Sequence, residues 1–185
     1  MKRIILASQS PRRKELLQKL DIPFGIVIPS ILETIDTSLS LEEAIAKLAM
    51  QKAQAVLQLH PDAIVIGADT IVVYQNQLLG KPQDRQEALS MIKMLQGNTH
   101  QVITGVSVVS KDHQCKQAHI SHVTFDPMSD EEINAYLDAN EWQDKAGAYG
   151  IQGHAAKYIS HIDGDYYSIM GLPINLLYKM LCQII

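Results

Sequence analysis

Cysteine is scarce in this chain. Cys115 and Cys182 are its two thiols, and they form no CxxC pair. With no secretory signal in view, two isolated thiols read as reduced, mostly buried cysteines of a cytoplasmic protein. Long apolar runs are also missing. "MKRIILASQS" begins basic and then apolar, like the start of a signal peptide, but the run is only Ile4 to Ala7 and charge returns at Arg12. No stretch approaches the length of a membrane span, so a soluble protein with no membrane partner is expected. Charge of one sign is not in excess. With a formal net charge of −4, nothing in the bulk composition points to a protein that coats a nucleic-acid polymer, and any anionic ligand must be drawn by local charge. The seven histidines give no HExxH or HxH pattern. His119 and His122 fall in a strand-like segment, where a spacing of three sets them on opposite faces, so no histidine metal site is expected. A Walker A loop, a GxGxxG fingerprint, internal repeats, low-complexity tracts and Pro/Ser linkers are absent.

What remains is ordinary globular composition, with 185 residues, 46% hydrophobic and 19% charged. That suffices for one domain, 1–185, with a real core. Strand and helix signals alternate. Residues 3–7 read as a short strand and 11–20 as a helix. A helix is expected over "SLEEAIAKLAMQKAQAVLQL", with Ser40 and Glu43 spaced as a capping box. "AIVIGADTIVVY" reads as a strand pair or one long strand, with a turn near Gln75–Gln77. "DRQEALSMIKMLQG" is a helix capped by Asp84 and stopped by Gly97. "HQVITGVSVVS" and "KQAHISHVTFD" are strands around a polar turn, Ser129 and Glu132 cap a fourth helix, and Pro173 opens a last one. Hairpin-like strand pairs interrupt the strand–helix alternation, which predicts an α/β fold with a mixed sheet and flanking helices.

Four places conflict with these local rules. In "LASQSPRRKELL", Ser10 as N-cap and Pro11 at the first helical position put Arg12 and Arg13 in the first turn. That end already carries positive charge from the macrodipole, where acidic residues are expected. Asp69 is flanked by apolar strand formers, where an unpaired carboxylate is costly; the alternative is a turn aspartate, with Gly67 allowing the bend. Lys52 lies inside the apolar stripe Ile45, Leu48, Ala49, Val56, Leu59, either functional or snorkelling to solvent. Lys81, between Gly80 and Pro82, is by itself an ordinary turn lysine.

An anion reconciles them. Helix-start N–H groups, the hydroxyls of Ser8 and Ser10, and guanidinium forks all suit phosphate oxygens. With Lys52 and Lys81 added, the cations match a polyphosphate chain. Glu33 and Asp69 are then the oxygen ligands for a hard divalent cation, Mg²⁺ or Mn²⁺. Gly147, Gly150 and Gly153 alone indicate no more than a flexible turn.

The blocks "LASQSPRRKELL", "LAMQKA", "GADTIVV", "GKP", "HQVITGV" and "DKAGAYGIQG…GDYYSIMGLP" resemble, in order and spacing, the Maf family of nucleoside triphosphate pyrophosphatases over essentially the whole chain. The resemblance implies a Maf/inosine-triphosphatase-like α/β fold with two lobes around a cleft. It also implies metal-assisted hydrolysis of a nucleoside triphosphate to the monophosphate and pyrophosphate. By position, Asp69 falls on the catalytic acid. Arg12, Thr70 and Gln152 fall on substrate-specificity positions, and Ser8, Arg13, Glu33, Lys52 and Lys81 on polar cleft positions. "GAYGIQG" is similar to the subgroup acting on dTTP and UTP. Two departures stand out: Leu32–Glu33 replaces an acidic pair, and Ser168 stands where asparagine is common. A homodimer accords with base rates and with the resemblance. The other class of reading is a nucleotide-sensing regulator of cell division acting through a protein partner. Such a binding module has little use for a desolvated aspartate beside a metal-bound phosphate.

Overall fold

Four consecutive buried residues open the fold. β1 (Ile4–Ala7) is apolar at every position, as a strand covered on both faces must be. It pairs in parallel with β2 (Phe24–Val27) on one side and with β3 (Ile64–Tyr74) on the other. These belong to a seven-stranded mixed sheet in a computed structural model that describes residues 2–184. Its order is β2-β1-β3-β5-β6-β7, with β4 (Gln77–Leu79) paired to β3; β5 is Thr99–Val109, β6 Gln114–Phe125 and β7 Ile159–Asp163. The helices are α1 (Pro11–Gln18), α2 (Leu41–Leu59), α3 (Arg85–Leu95), α4 (Asp130–Asp138), α5 (Tyr166–Met170) and α6 (Ile174–Leu181). The mixed α/β fold read from the alternating signals is the one observed.

The chain divides into two compact units. The first takes the residues up to Thr70, Thr104–His119 and those from Tyr167 onward; the second takes Ile71–Ile103 and Ile120–Tyr166. In the first unit, one core cluster gathers Ile5 and Ala7 of β1, Ala53 and Val56 of α2, Val65 of β3 and Val109 of β5. The helical spacing of Ala49, Ala53 and Val56 puts these small side chains on the face that α2 turns to the sheet. The apolar anchors of α1 are Leu16 and Leu17, both fully buried. At about 1.5–3 kcal/mol for each buried leucine, that suffices to hold a short helix whose first turn is polar.

In the second unit α3 and α4 pack together. Asp84 Oδ1 accepts from Glu87 N at 2.8 Å to cap α3. Ser129 and Glu132 form a complete capping box on α4. At Ser40 only one half of the expected box forms, Ser40 Oγ accepting from Glu43 N at 3.3 Å. The hairpin between β3 and β4 turns on Gln75 and Asn76, both at positive φ. One composition-based expectation is corrected: Cys115 is half-buried and Cys182 is exposed, at the end of the amphipathic α6. No helix among the described residues is long and apolar enough to cross a membrane.

Candidate active site

Asp69 is no turn residue. β3 runs unbroken through Gly67, Ala68 and Asp69, and side-chain alternation sends positions 67 and 69 to the same face. That face meets α2, and the meeting is close. A Cβ on Gly67 would collide with the Ala49 backbone carbonyl and lie 3.0 Å from both Ala53 Cβ and Ser107 Oγ. A Cβ on Gly105 of β5 would likewise strike the backbone at Ile45 and Ala46. The two glycines let α2 lie directly on the sheet, and Lys52, one turn beyond Ala49, then reaches Asp69.

Lys52 does not snorkel. It is 6% exposed, and its Nζ bonds to Asp69 Oδ1 and lies 2.9 Å from Glu33 Oε1. The Lys52 and Asp69 side chains are 8% and 13% exposed, so removing either partner leaves a poorly hydrated charge, at a cost of about 3–5 kcal/mol. Glu33 is 56% exposed and comes from the irregular segment after β2. That segment is tied to α2 by Asp36, whose Oδ2 accepts from Lys47 Nζ at 2.7 Å. Hydrogen bonds from Lys47 and Ser38 hold the Asp36 carboxyl below the usual carboxylate range.

On the opposite face of β3, Thr70 meets α1. Ser10 caps that helix, accepting from Arg13 N at 3.4 Å, and Pro11 opens it. Ser8 is buried and its Oγ accepts from Ser10 N at 3.1 Å, so it shapes the approach to the helix. Arg13 has protein partners for its charge. Its Nε donates to Gly171 O at 2.9 Å and its Nη2 to Thr70 Oγ1 at 3.1 Å. Burial pushes the Arg13 guanidinium below its ordinary value; Asp69 and Glu33 oppose that shift and the neighbouring Arg12 adds to it. Arg12 is half-buried in the same first turn. The Arg13 charge at a positive helix end is thus offset by a carbonyl and by carboxylates of the same unit.

Asp69 and Glu33 converge on one point, at the Lys52 ammonium. Among the described residues no group of three or more His, Cys, Asp or Glu side chains could hold a metal ion. Two carboxylates are nonetheless the donor set that suits Mg²⁺, which takes one or two from protein and the rest from substrate phosphates and water. Asp69 and Glu33 are the residues that would offer carboxylate oxygens to such an ion, and the point they share is taken by the Lys52 ammonium.

The second unit holds Lys81 and Gln152, both exposed and both on loops. Gly147 N donates to Gly80 O at 3.0 Å, which ties the glycine-rich loop to the turn that carries Lys81. Tyr136 Oη donates to Ala148 O at 3.0 Å, and His100 Nε2 lies 2.7 Å from Tyr149 Oη. Beyond Gln152, Glu141 accepts from His154 N at 2.6 Å and pairs with its ring. Gln152 is thus an exposed amide on a loop anchored on both sides. Burial lowers the pKa of His100 to about 4 and raises those of Tyr136 and Tyr149 above the ordinary tyrosine value.

The first unit therefore brings together Arg13, Glu33, Lys52, Asp69 and Thr70. Sequence reasoning missed Gly67 and Gly105 as packing residues, Thr104, and the Gly171 carbonyl. Isolated glycines inside strand patterns were the available signal for the first two, and a threonine amid apolar strand residues for the third.

The chain matches the family described as "Maf-like protein" over residues 3–184. Over 183 residues it is 48% identical to a Bacillus cereus protein named dTTP/UTP pyrophosphatase, covering 99% of this chain and 96% of that one. A Bacillus cytotoxicus protein of the same name shows the same identity and coverage. A solved Mycobacterium abscessus structure, titled nucleoside-triphosphatase / dITP/XTP pyrophosphatase, aligns with a TM-score of 0.43 and 14% identity, over 75% of this chain and 95% of that one. With a family match over nearly every residue and near-full-length relatives at this identity, the chain belongs to the Maf family.

Proposed function

We propose that this protein hydrolyses dTTP and UTP to the nucleoside monophosphate and pyrophosphate, by attack of water on the α-phosphorus. The carrying observation is Asp69: a carboxylate inside a strand, held by a buried lysine and backed by Arg13. The names of the near-full-length relatives support the same reaction.

Each residue has a task in this reading. Asp69 orients and deprotonates the attacking water, and its bond to Lys52 fixes the carboxylate in one position. Lys52, Arg12 and Arg13 balance the charge of the leaving pyrophosphate, with Ser8 at the same helix start. Arg13 already donates two N–H groups to protein, which sets its plane and leaves the rest for phosphate oxygens. Lys81 is assigned to phosphate. Arg12, Thr70 and Gln152 are assigned to substrate choice. Asp69 and Glu33 would hold a Mg²⁺ or Mn²⁺ ion, which polarises phosphoryl oxygens when bound. A cytoplasmic location and a homodimer complete the proposal.

Purified protein given UTP in ¹⁸O-labelled water tests it. Pyrophosphate should appear rather than orthophosphate, with the label in UMP. Asp69→Asn should lower turnover by about two orders of magnitude or more, the scale of one catalytic acid/base. Orthophosphate and UDP as products, or a fully active Asp69→Asn protein, would overturn the proposal.

A further inference from the structure

We propose that Thr104 is a positioning residue that takes the Thr70 hydroxyl proton and leaves Thr70 only an acceptor toward a ligand, so that the ligand group meeting Thr70 must be a donor. The inference rests on the reading of Thr70 as a specificity residue for pyrimidine nucleotides.

Four groups of the first unit form a chain of hydrogen bonds. Arg13 Nη2 lies 3.1 Å from Thr70 Oγ1, Thr70 Oγ1 lies 2.9 Å from Thr104 Oγ1, and Thr104 Oγ1 lies 2.8 Å from Ser168 O. The end groups fix the direction. A guanidinium only donates and a carbonyl oxygen only accepts. Thr104 has one hydroxyl proton, and Ser168 O takes it. The proton between the two threonines must then come from Thr70. Thr70 in turn accepts from Arg13, which leaves one lone pair on its oxygen and no proton to offer. Thr104 and Ser168 are both 0% exposed, so water does not compete for the last two links. Inside the protein such a chain also polarises each bond in turn, which strengthens its direction.

The consequence is chemical selectivity. A half-buried threonine hydroxyl would ordinarily rotate to serve either a donor or an acceptor. Here it serves only donors. A phosphate oxygen finds no partner on Thr70 and must take its hydrogen bonds from the cations. The imide N–H of uracil or thymine is a donor and matches the remaining lone pair. The N3 of cytosine is an acceptor and would face that lone pair with its own. Thr104 sets this preference without touching the ligand.

Thr104→Val keeps the volume and shape while removing both ends of the link; Thr104→Ser keeps the hydroxyl. In Thr104→Val the Thr70 proton is released to turn toward a ligand. The ratio of kcat/KM for UTP to that for CTP should fall about fivefold or more, mainly through KM, and Thr104→Ser should restore it to within about twofold. A folded Thr104→Val protein with the wild-type ratio would overturn the proposal. The second readout needs no activity. In wild-type protein the Thr104 hydroxyl proton should give a slowly exchanging NMR signal with contacts to Ser168, and the Thr70 hydroxyl proton should show contacts to Thr104. A Thr104 proton that exchanges rapidly with water, or points toward Thr70, would reject the relay. If the wild-type protein leaves UTP intact, the pyrimidine reading fails while the NMR result still decides the direction of the hydroxyls.

Discussion

The backbone carbonyl of Ala49 occupies the space that a Cβ on Gly67 would need. This approach of α2 to β3 lets Lys52, set within an apolar helix face, meet a carboxylate on the same side of the strand. An alanine or leucine face would hold the helix farther off, beyond the reach that joins Lys52 to Asp69.

Gly67→Ala is therefore expected to be costly. The obstacle is backbone, with Ala53 and Ser107 also at 3.0 Å, so no flexible side-chain tip can yield. Overpacking of this kind costs about 3 kcal/mol. The urea midpoint should fall and turnover should drop with it, because Lys52 and Asp69 are carried apart. An alanine protein as stable and as active as wild type would show that α2 adjusts freely.

Lys52→Met tests the ion pair. The sequence alone suggests that, with Lys52 facing a cleft, methionine should lower catalytic efficiency sharply while stability holds or rises, since the stem packing is kept. The ion pair argues the opposite for stability. Methionine leaves Asp69, 13% exposed, beside Glu33 with no cation between them. A loss of about 3 kcal/mol is expected. Because the two carboxylates then lack their ammonium, millimolar Mg²⁺ or Mn²⁺ should recover part of the loss in a thermal melt, and should move the wild-type midpoint less. An equally stable variant that is indifferent to metal would contradict the pairing.

His100 predicts a pH effect on stability. It is 2% exposed, in contact with Phe125 and Tyr149, and burial holds its pKa near 4, against about 6.5 unfolded. At pH 7 the imidazole is neutral in both states. Below about pH 6.5 the unfolded chain gains a proton that the folded protein refuses until about pH 4. Stability is thus lost as pH falls through that window, by about 2 kcal/mol between pH 7 and pH 5 from this group. His100→Phe keeps a ring against Tyr149, loses a hydrogen bond at neutral pH, and should show a correspondingly smaller drop in urea midpoint between those two pH values. An identical drop in both proteins would assign the acid sensitivity elsewhere.

Local signals carried most of the fold. Ser10, Ser40, Asp84 and Ser129 each cap the helix expected of them, and the turn at Gln75–Asn76 is where the polar break lies. These features depend on neighbours in the chain, so a linear reading can find them. The Asp69 anomaly was legible for the same reason, since its flanks are apolar. Its partner was not: nothing within a few residues of Lys52 says that its stripe faces β3 at position 69. Arg13 shows the limit more sharply. An arginine at a helix start suggests an anion, yet two of its N–H groups go to Thr70 and to the carbonyl of Gly171, across 57 and 158 residues. A backbone carbonyl leaves no mark in the sequence, and a relay through Thr104 appears only once β3 and β5 are set side by side.

Gln152→Leu separates base reading from loop closure. A loop glutamine often spends its amide on nearby backbone, and substitution then loosens the loop. Here the loop is held by other groups: Gly147 N on Gly80 O, Tyr136 Oη on Ala148 O, and Glu141 on His154. Gln152 itself is exposed, and leucine there should leave stability within about 0.5 kcal/mol. The effect should appear in substrate choice. An amide N–H can donate to the O4 carbonyl of uracil or thymine, beside the N3–H that faces Thr70, and opposes the 4-amino donor of cytosine. Leucine leaves that edge unpaired, at about 1–3 kcal/mol. kcat/KM for UTP and dTTP should decline toward the CTP value, while the response to chelator and to Asp69→Asn stays as in wild type. Unlike Thr104→Val, this variant should leave the Thr70 and Thr104 hydroxyl signals unmoved. A UTP to CTP ratio identical to wild type would remove Gln152 from base recognition.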